Sequence, residues 1–238
     1  MVFSPSRPLI ILFSFCIICL FILAGCKESK STNEPQTEPL EIEIIEEPPI
    51  EIVKIDYDTS QWKEITEQSG VVLDIRYATD DNFTKKQIYP CPRCFLRPVM
   101  ADKILKLQKD IKNKYGMSLK LFDCYRPRPA QQKLWNIVPD ARYVTPPKKG
   151  SMHNKGLAVD LTLMDENGEE LDMGTEYDFF GREAYTTNTD LPEEVLKNRK
   201  ILTKLMNVHG IKGIRTEWWH FSLKSEKAAL DSWEWECD

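Results

Sequence analysis

Two short stretches, far apart in the chain, constrain this sequence more than anything else in it. The first runs from Ser151 to Asp160, Ser-Met-His-Asn-Lys-Gly-Leu-Ala-Val-Asp, and the second is Glu217-Trp218-Trp219-His220. The chain has three histidines, and two of them, His153 and His220, lie here. With Asp160 they supply three donors, and Glu217 is a carboxylate to spare. A catalytic zinc site needs that set: three protein ligands, a fourth position open to water, and a base beside it. If the set is real, the fold must carry His220 back across the molecule to His153.

The local patterns suit such a meeting. Residues 157–163, Leu-Ala-Val-Asp-Leu-Thr-Leu, are bounded by Gly156 and an acidic Asp-Glu-Asn-Gly turn and predict a strand. Period 2 puts Leu157, Val159, Leu161 and Leu163 on one face, and Ala158, Asp160 and Thr162 on the other. His153 precedes Gly156, where the backbone has room to fold it toward Asp160. Glu217 and His220 are three apart, so on a regular strand they face opposite ways. Service at one metal requires a turn or bulge there. A packed aromatic strand with a satisfied histidine is the plainer alternative. His209 ends a helix ahead of Gly210, where the helix dipole favours it, and is given no catalytic role.

Taken in order, Ser-x-His-x-x-Gly-x-Ala-x-Asp and Glu-Trp-Trp-His resemble the zinc D-Ala-D-Ala peptidases, within them the dipeptidases of the vancomycin-resistance type. Asp74 to Thr79 with Asp81 to Thr84, Asp123-Cys124-Tyr125-Arg126-Pro127, and Met173 to Phe179 also match that subgroup. The resemblance covers about residues 70 to 223. It implies a single α+β domain, hedgehog-like, with a central, mostly antiparallel sheet flanked by helices. It implies one Zn²⁺ held by His153, Asp160 and His220, with Glu217 as the base that moves the water's proton. Arg126, at a predicted strand-to-helix junction, would hydrogen-bond the carbonyl oxygen as charge develops on it. Asp178 and Ser151 would bind the substrate's free ammonium, and Tyr77 would help line the pocket. The expected reaction is hydrolysis of D-Ala-D-Ala. A D,D-carboxypeptidase or endopeptidase of the same fold, or a wall-binding module that keeps metal without turnover, are the alternatives.

The N-terminal quarter points to export. Leu9 to Leu23 is almost wholly apolar, follows Arg7, and is shorter than a membrane-spanning helix requires. It ends Leu-Ala-Gly-Cys, which resembles a bacterial lipoprotein cleavage box, with Cys26 as the lipidated residue and residues 1–25 removed. Residues 26–52 are then an acidic, proline- and glutamate-rich tether, leaving 53–238 as the catalytic domain. The tether carries two lysines against eight glutamates, whereas residues 53–238 carry 29 basic and 29 acidic residues. A near-neutral domain offers no basic face for nucleic acid. The expected partners are a small dipeptide and, through the lipid, a bacterial membrane. An enzyme placed there suits salvage of released dipeptide better than destruction of cytoplasmic wall precursors.

Four cysteines remain beyond Cys26: Cys91, Cys94, Cys124 and Cys237. Outside the cytoplasm four cysteines make two disulfides in one of three connectivities, which spacing does not choose between. Further elements are expected as strands at 71–77, 119–122 and 217–223, and helices at 98–115, 129–137 and from Asp190 onward. The Trp233-Glu234-Trp235-Glu236-Cys237 tail alternates as an edge strand does, or caps the core.

Overall fold

The computed structural model describes residues 55–237, so the expected signal, Cys26 and the tether lie outside the described residues. Its centre is a five-stranded sheet of order β2-β4-β5-β7-β6. These strands are β2 (Val72–Leu73), β4 (Ser118–Asp123), β5 (Ala158–Met164), β6 (Lys212–Gly213) and β7 (His220–Ser222). Only β2 and β4 run parallel; the other pairs are antiparallel. A separate hairpin-like pair joins β1 (Lys63–Ile65) to β3 (Cys94–Leu96). The helices are α1 (Pro98–Tyr115), α2 (Arg128–Ile137) and α3 (Glu193–Val208). This is the mostly antiparallel α+β arrangement expected from the sequence.

α1 forms where Pro98 sets the first turn and Gly116, at φ 69°, ends it. It buries Met100, Ala101, Ile104, Leu107, Gln108 and Ile111. β5 is the middle strand and is buried from Ala158 to Leu163, polar Asp160 and Thr162 included. Apolar side chains at Val159, Leu161 and Leu163 pack into the core on one face, as the period-2 pattern anticipated.

Three expectations need correction. The run at 71–77 pairs only over Val72–Leu73, because the chain then winds into a 3₁₀ turn at Arg76–Ala78 that sinks Tyr77 into the core. The strand expected over 217–223 pairs only over His220–Ser222, which frees Glu217 from strand alternation. α3 starts at Glu193, with Pro192 at the cap position, so the helix begins after Asp190 rather than at it. The C-terminal tail forms no strand and serves as a cap. Trp235 is buried, and Trp233 stacks on Trp62 with ring centroids 5.2 Å apart. Disulfides join Cys91 to Cys237 and Cys94 to Cys124.

Candidate active site

Sheet register assembles the donors. Asp160 on β5 is paired with Asp123 on β4 and with His220 on β7, so the three occupy one rung across adjacent strands. Residues directly opposite each other project to the same side of a sheet. His153 arrives from a 3₁₀ turn (His153–Lys155) that Gly156 closes at φ 67°. A Cβ at Gly156 would lie 2.6 Å from a ring atom of Trp62, so both the conformation and the space require glycine.

The result is a compact trio. His153 Nε2 is 3.2 Å and His220 Nδ1 3.0 Å from Asp160 Oδ1, and the two nitrogens are 3.0 Å apart. Tetrahedral donors about 2.0–2.1 Å from zinc would stand roughly 3.3 Å from one another, so these separations fit that ion. The chemistry fits as well. His153 Nδ1 lies 2.7 Å from the Cys124 carbonyl, which can only accept. The ring proton is therefore on Nδ1, and Nε2 offers its lone pair to the trio. Tyr177 donates to the other oxygen of Asp160 at 3.1 Å, which fixes the carboxylate's orientation. Burial works to raise the Asp160 carboxyl's pKa, but attraction from His153 and His220 prevails and holds it well below the usual range. Asp160 is thus an anion at neutral pH, ready to ligate.

Glu217 Oε2 sits 4.0 Å from His220 Nδ1, outside ligating and hydrogen-bonding distance of it. Burial, reinforced by Asp160 and Asp178 against the pull of His220, pushes its carboxyl up to about 7. A proton-transfer group is most effective when its pKa lies near the working pH.

The trio opens into a cleft of about 720 Å³ lined by Tyr77, Arg126, Ser151, Asp178 and Glu217, among others. All eight residues expected at the site on residue type or resemblance therefore reach one place. Their engagements differ. Tyr77 donates to Asp178 Oδ2 at 2.7 Å, so it orients Asp178 as well as lining the wall. Asp178 itself is one of two non-glycine residues with positive φ among the described residues, at 57°, a conformation that costs energy and clusters at functional sites. Burial and then the charge of Asp160 push its carboxyl up to about 7. The Ser151 hydroxyl is engaged by Asn154 at 3.2 Å rather than by Asp178.

Arg126 is held from behind. Asp123, fully buried, accepts from its Nε at 3.1 Å and Nη2 at 2.6 Å, and Gln131 accepts from Nη1 at 3.1 Å. Tyr89 donates to the other oxygen of Asp123 at 2.7 Å. Asp123, Gln131 and Tyr177 are site residues that residue type alone did not mark. Asp123 and Tyr177 stand inside the motifs already noted, and only the three-dimensional contacts give them roles.

A family model described as D-ala-D-ala dipeptidase matches residues 62–235. Among curated proteins, the chain is 40% identical over 153 residues to the D-alanyl-D-alanine dipeptidase of Escherichia coli K12, covering 63% of this chain and 78% of that one. The protein of the same name from Enterococcus faecium is 31% identical over 178 residues, 66% of this chain and 88% of its own length. That of Streptomyces coelicolor is 30% identical over 179 residues, with the same coverage.

Proposed function

This chain belongs to the D-Ala-D-Ala dipeptidase family of metallopeptidases, and on that premise we propose that it uses zinc to hydrolyse the free dipeptide D-alanyl-D-alanine to two D-alanines. The observation that carries the substrate assignment is the Tyr77–Asp178 pair, set in the same cleft as Glu217 and the His153–Asp160–His220 trio. An ionised Asp178 is a partner for a free ammonium and a poor neighbour for an acylated nitrogen, which has no charge to offer.

His153 Nε2, Asp160 Oδ1 and His220 Nδ1 would hold the ion. When bound, zinc polarises the scissile carbonyl and acidifies the attacking water. Glu217 accepts the water's proton on its free carboxylate and returns it to the leaving amine as the C–N bond breaks. Arg126 donates to the carbonyl oxygen as negative charge gathers there. Asp178 fixes the ammonium, which places the scissile carbonyl at a set reach from it.

Turnover of D-Ala-D-Ala set against its N-acetyl derivative, with and without a chelator, tests the reading. The free dipeptide is the expected substrate, and chelation should abolish its cleavage. Asp178→Asn should raise KM for the free dipeptide about tenfold or more, the worth of a charge-assisted contact, and narrow its advantage over the acetylated form. A wild-type preference for the blocked peptide would instead point to a carboxypeptidase or endopeptidase.

The same proposal places the enzyme outside the cytoplasm, anchored through lipid on Cys26 and serving salvage of wall-derived dipeptide. The lipobox-like Leu-Ala-Gly-Cys supports this, as do two disulfides, which persist in oxidising compartments. Cys26→Ala should release the enzyme from the membrane fraction and lose incorporation of labelled fatty acid. Unchanged fractionation would sink the anchor.

A further inference from the structure

The loop that carries His153 closes its own 3₁₀ turn through the Met152 and His153 carbonyls, but the carbonyls that follow His153 are held by other parts of the chain. Carbonyls 154, 155 and 156 follow His153 directly, and each accepts a hydrogen bond from outside the loop. Asp231 N donates to the Asn154 carbonyl at 2.8 Å, Arg97 Nε to that of Lys155 at 3.2 Å, and Arg97 N to that of Gly156 at 2.9 Å. These two anchors are themselves bound together, because Arg97 Nη2 pairs with Asp231 Oδ2 at 2.8 Å. Asp231 also reaches the second site loop. Its carbonyl accepts from Arg128 N at 3.2 Å, two residues beyond Arg126.

Asp231 lies on the C-terminal segment, and that segment is fastened on either side of it. On one side Leu230 packs over Gly150. On the other, Trp233 N donates to Asp231 Oδ1, the Trp233 carbonyl accepts from Tyr125 at 2.9 Å, and Cys237 is bonded to Cys91. Buried backbone groups need partners, and three successive carbonyls whose partners belong to other segments fix where this turn sits relative to them.

We propose that Asp231 is a positioning residue for the metal-binding loop, and that the C-terminal segment is a strap, latched by Cys91–Cys237, that holds His153 and Arg126 in mutual register. Asp231 does not line the cleft; its main chain holds Asn154 and Arg128, and its side chain holds Arg97 and the Trp233 amide, which keeps that main chain in place. The inference rests on the reading of His153 as a metal ligand. Removing a group hydrogen-bonded to a metal ligand typically costs about 10–100-fold in metal affinity; Asp231 acts one contact further out, which sets its effect at the lower end of that range.

The test compares full-length wild type, Asp231→Ala, Asp231→Asn and the Cys91→Ser/Cys237→Ser double variant, each confirmed as folded by circular dichroism at the temperature of assay. Zinc affinity is measured by competition with a chromophoric chelator, beside KM and kcat. Asp231→Ala is expected to weaken zinc binding about tenfold and lower kcat more than it raises KM. Asp231→Asn, which keeps an acceptor for Trp233 N, should recover part of both. The double cysteine variant, which removes the covalent latch and leaves the Asp231 side chain in place, should release zinc faster than wild type. Unchanged zinc affinity and release in folded variants, with only the melting temperature reduced, would overturn the proposal and leave the strap a stabilising cap. A wild-type protein that binds no zinc would overturn the metal reading itself, and the strap's role with it.

Discussion

Glu217→Gln should cleave D-Ala-D-Ala about 10²–10⁴-fold more slowly than wild type, the usual worth of a positioned acid–base group, while binding zinc with unchanged affinity. The geometry separates the two properties. Glu217 is 4.0 Å from the nearest donor nitrogen and takes no part in the trio, so an amide in its place leaves the trio intact. What the amide cannot do is accept a proton. The pH profile gives a second handle. A general base works only when ionised, so kcat, which reports the substrate complex with Asp178 already engaged by the ammonium, should fall as pH drops through the Glu217 pKa. Burial pushes that value to about 7 in the metal-free protein, and a nearby dication favours the carboxylate. The acid limb of the metal-loaded enzyme is therefore expected between the ordinary 4.5 and about 7, and absent from the residual activity of Glu217→Gln. A variant with wild-type kcat and the same acid limb would remove Glu217 from the mechanism.

The second large effect falls on Arg126. Arg126→Lys should lower kcat about 10²–10³-fold, as loss of an oxyanion donor does, with little change in zinc affinity. A guanidinium has five N–H donors in a rigid fork. Asp123 and Gln131 take three of them from behind, and two are left to face the cleft. An ammonium is a point charge with rotating donors. It cannot satisfy buried Asp123 and at the same time keep a fixed donor on the substrate side. The diagnostic is the split between constants. A fall confined to kcat means that the contact forms in the transition state. A raised KM with unchanged kcat would make Arg126 a binding group only and defeat the oxyanion assignment.

How far the sequence discloses this site differs from residue to residue. His153, Asp160, Glu217 and His220 stand out because histidine is scarce here and because carboxylates beside apolar runs are conspicuous. The geometry of Glu217 was less accessible. Sequence alternation continued the strand through it, whereas the chain enters β7 only at His220, since pairing depends on what β5 and β6 offer opposite. Likewise 71–77 has every property of a strand, but only two residues find a partner, and the 3₁₀ turn that follows carries Tyr77 to Asp178, 101 residues away. The disulfide pairs were undetermined for the same reason: spacing does not report which loops adjoin. Asp123 and Tyr177 were visible as letters in motifs and silent as to role, because an aspartate that restrains an arginine looks the same in sequence as one that caps a turn.

The rung formed by Asp123, Asp160 and His220 bears on assembly of the sheet as much as on chemistry. Side chains alternate along a strand, so a slip of one residue between β5 and β7 would turn one imidazole away from the carboxylate opposite it. Only the native alignment then captures the ion, and a chain that has zipped up out of step forfeits that free energy. A bound ion would thereby act as a gauge of strand alignment, rewarding correctly matched molecules and leaving mismatched ones free to separate and try again.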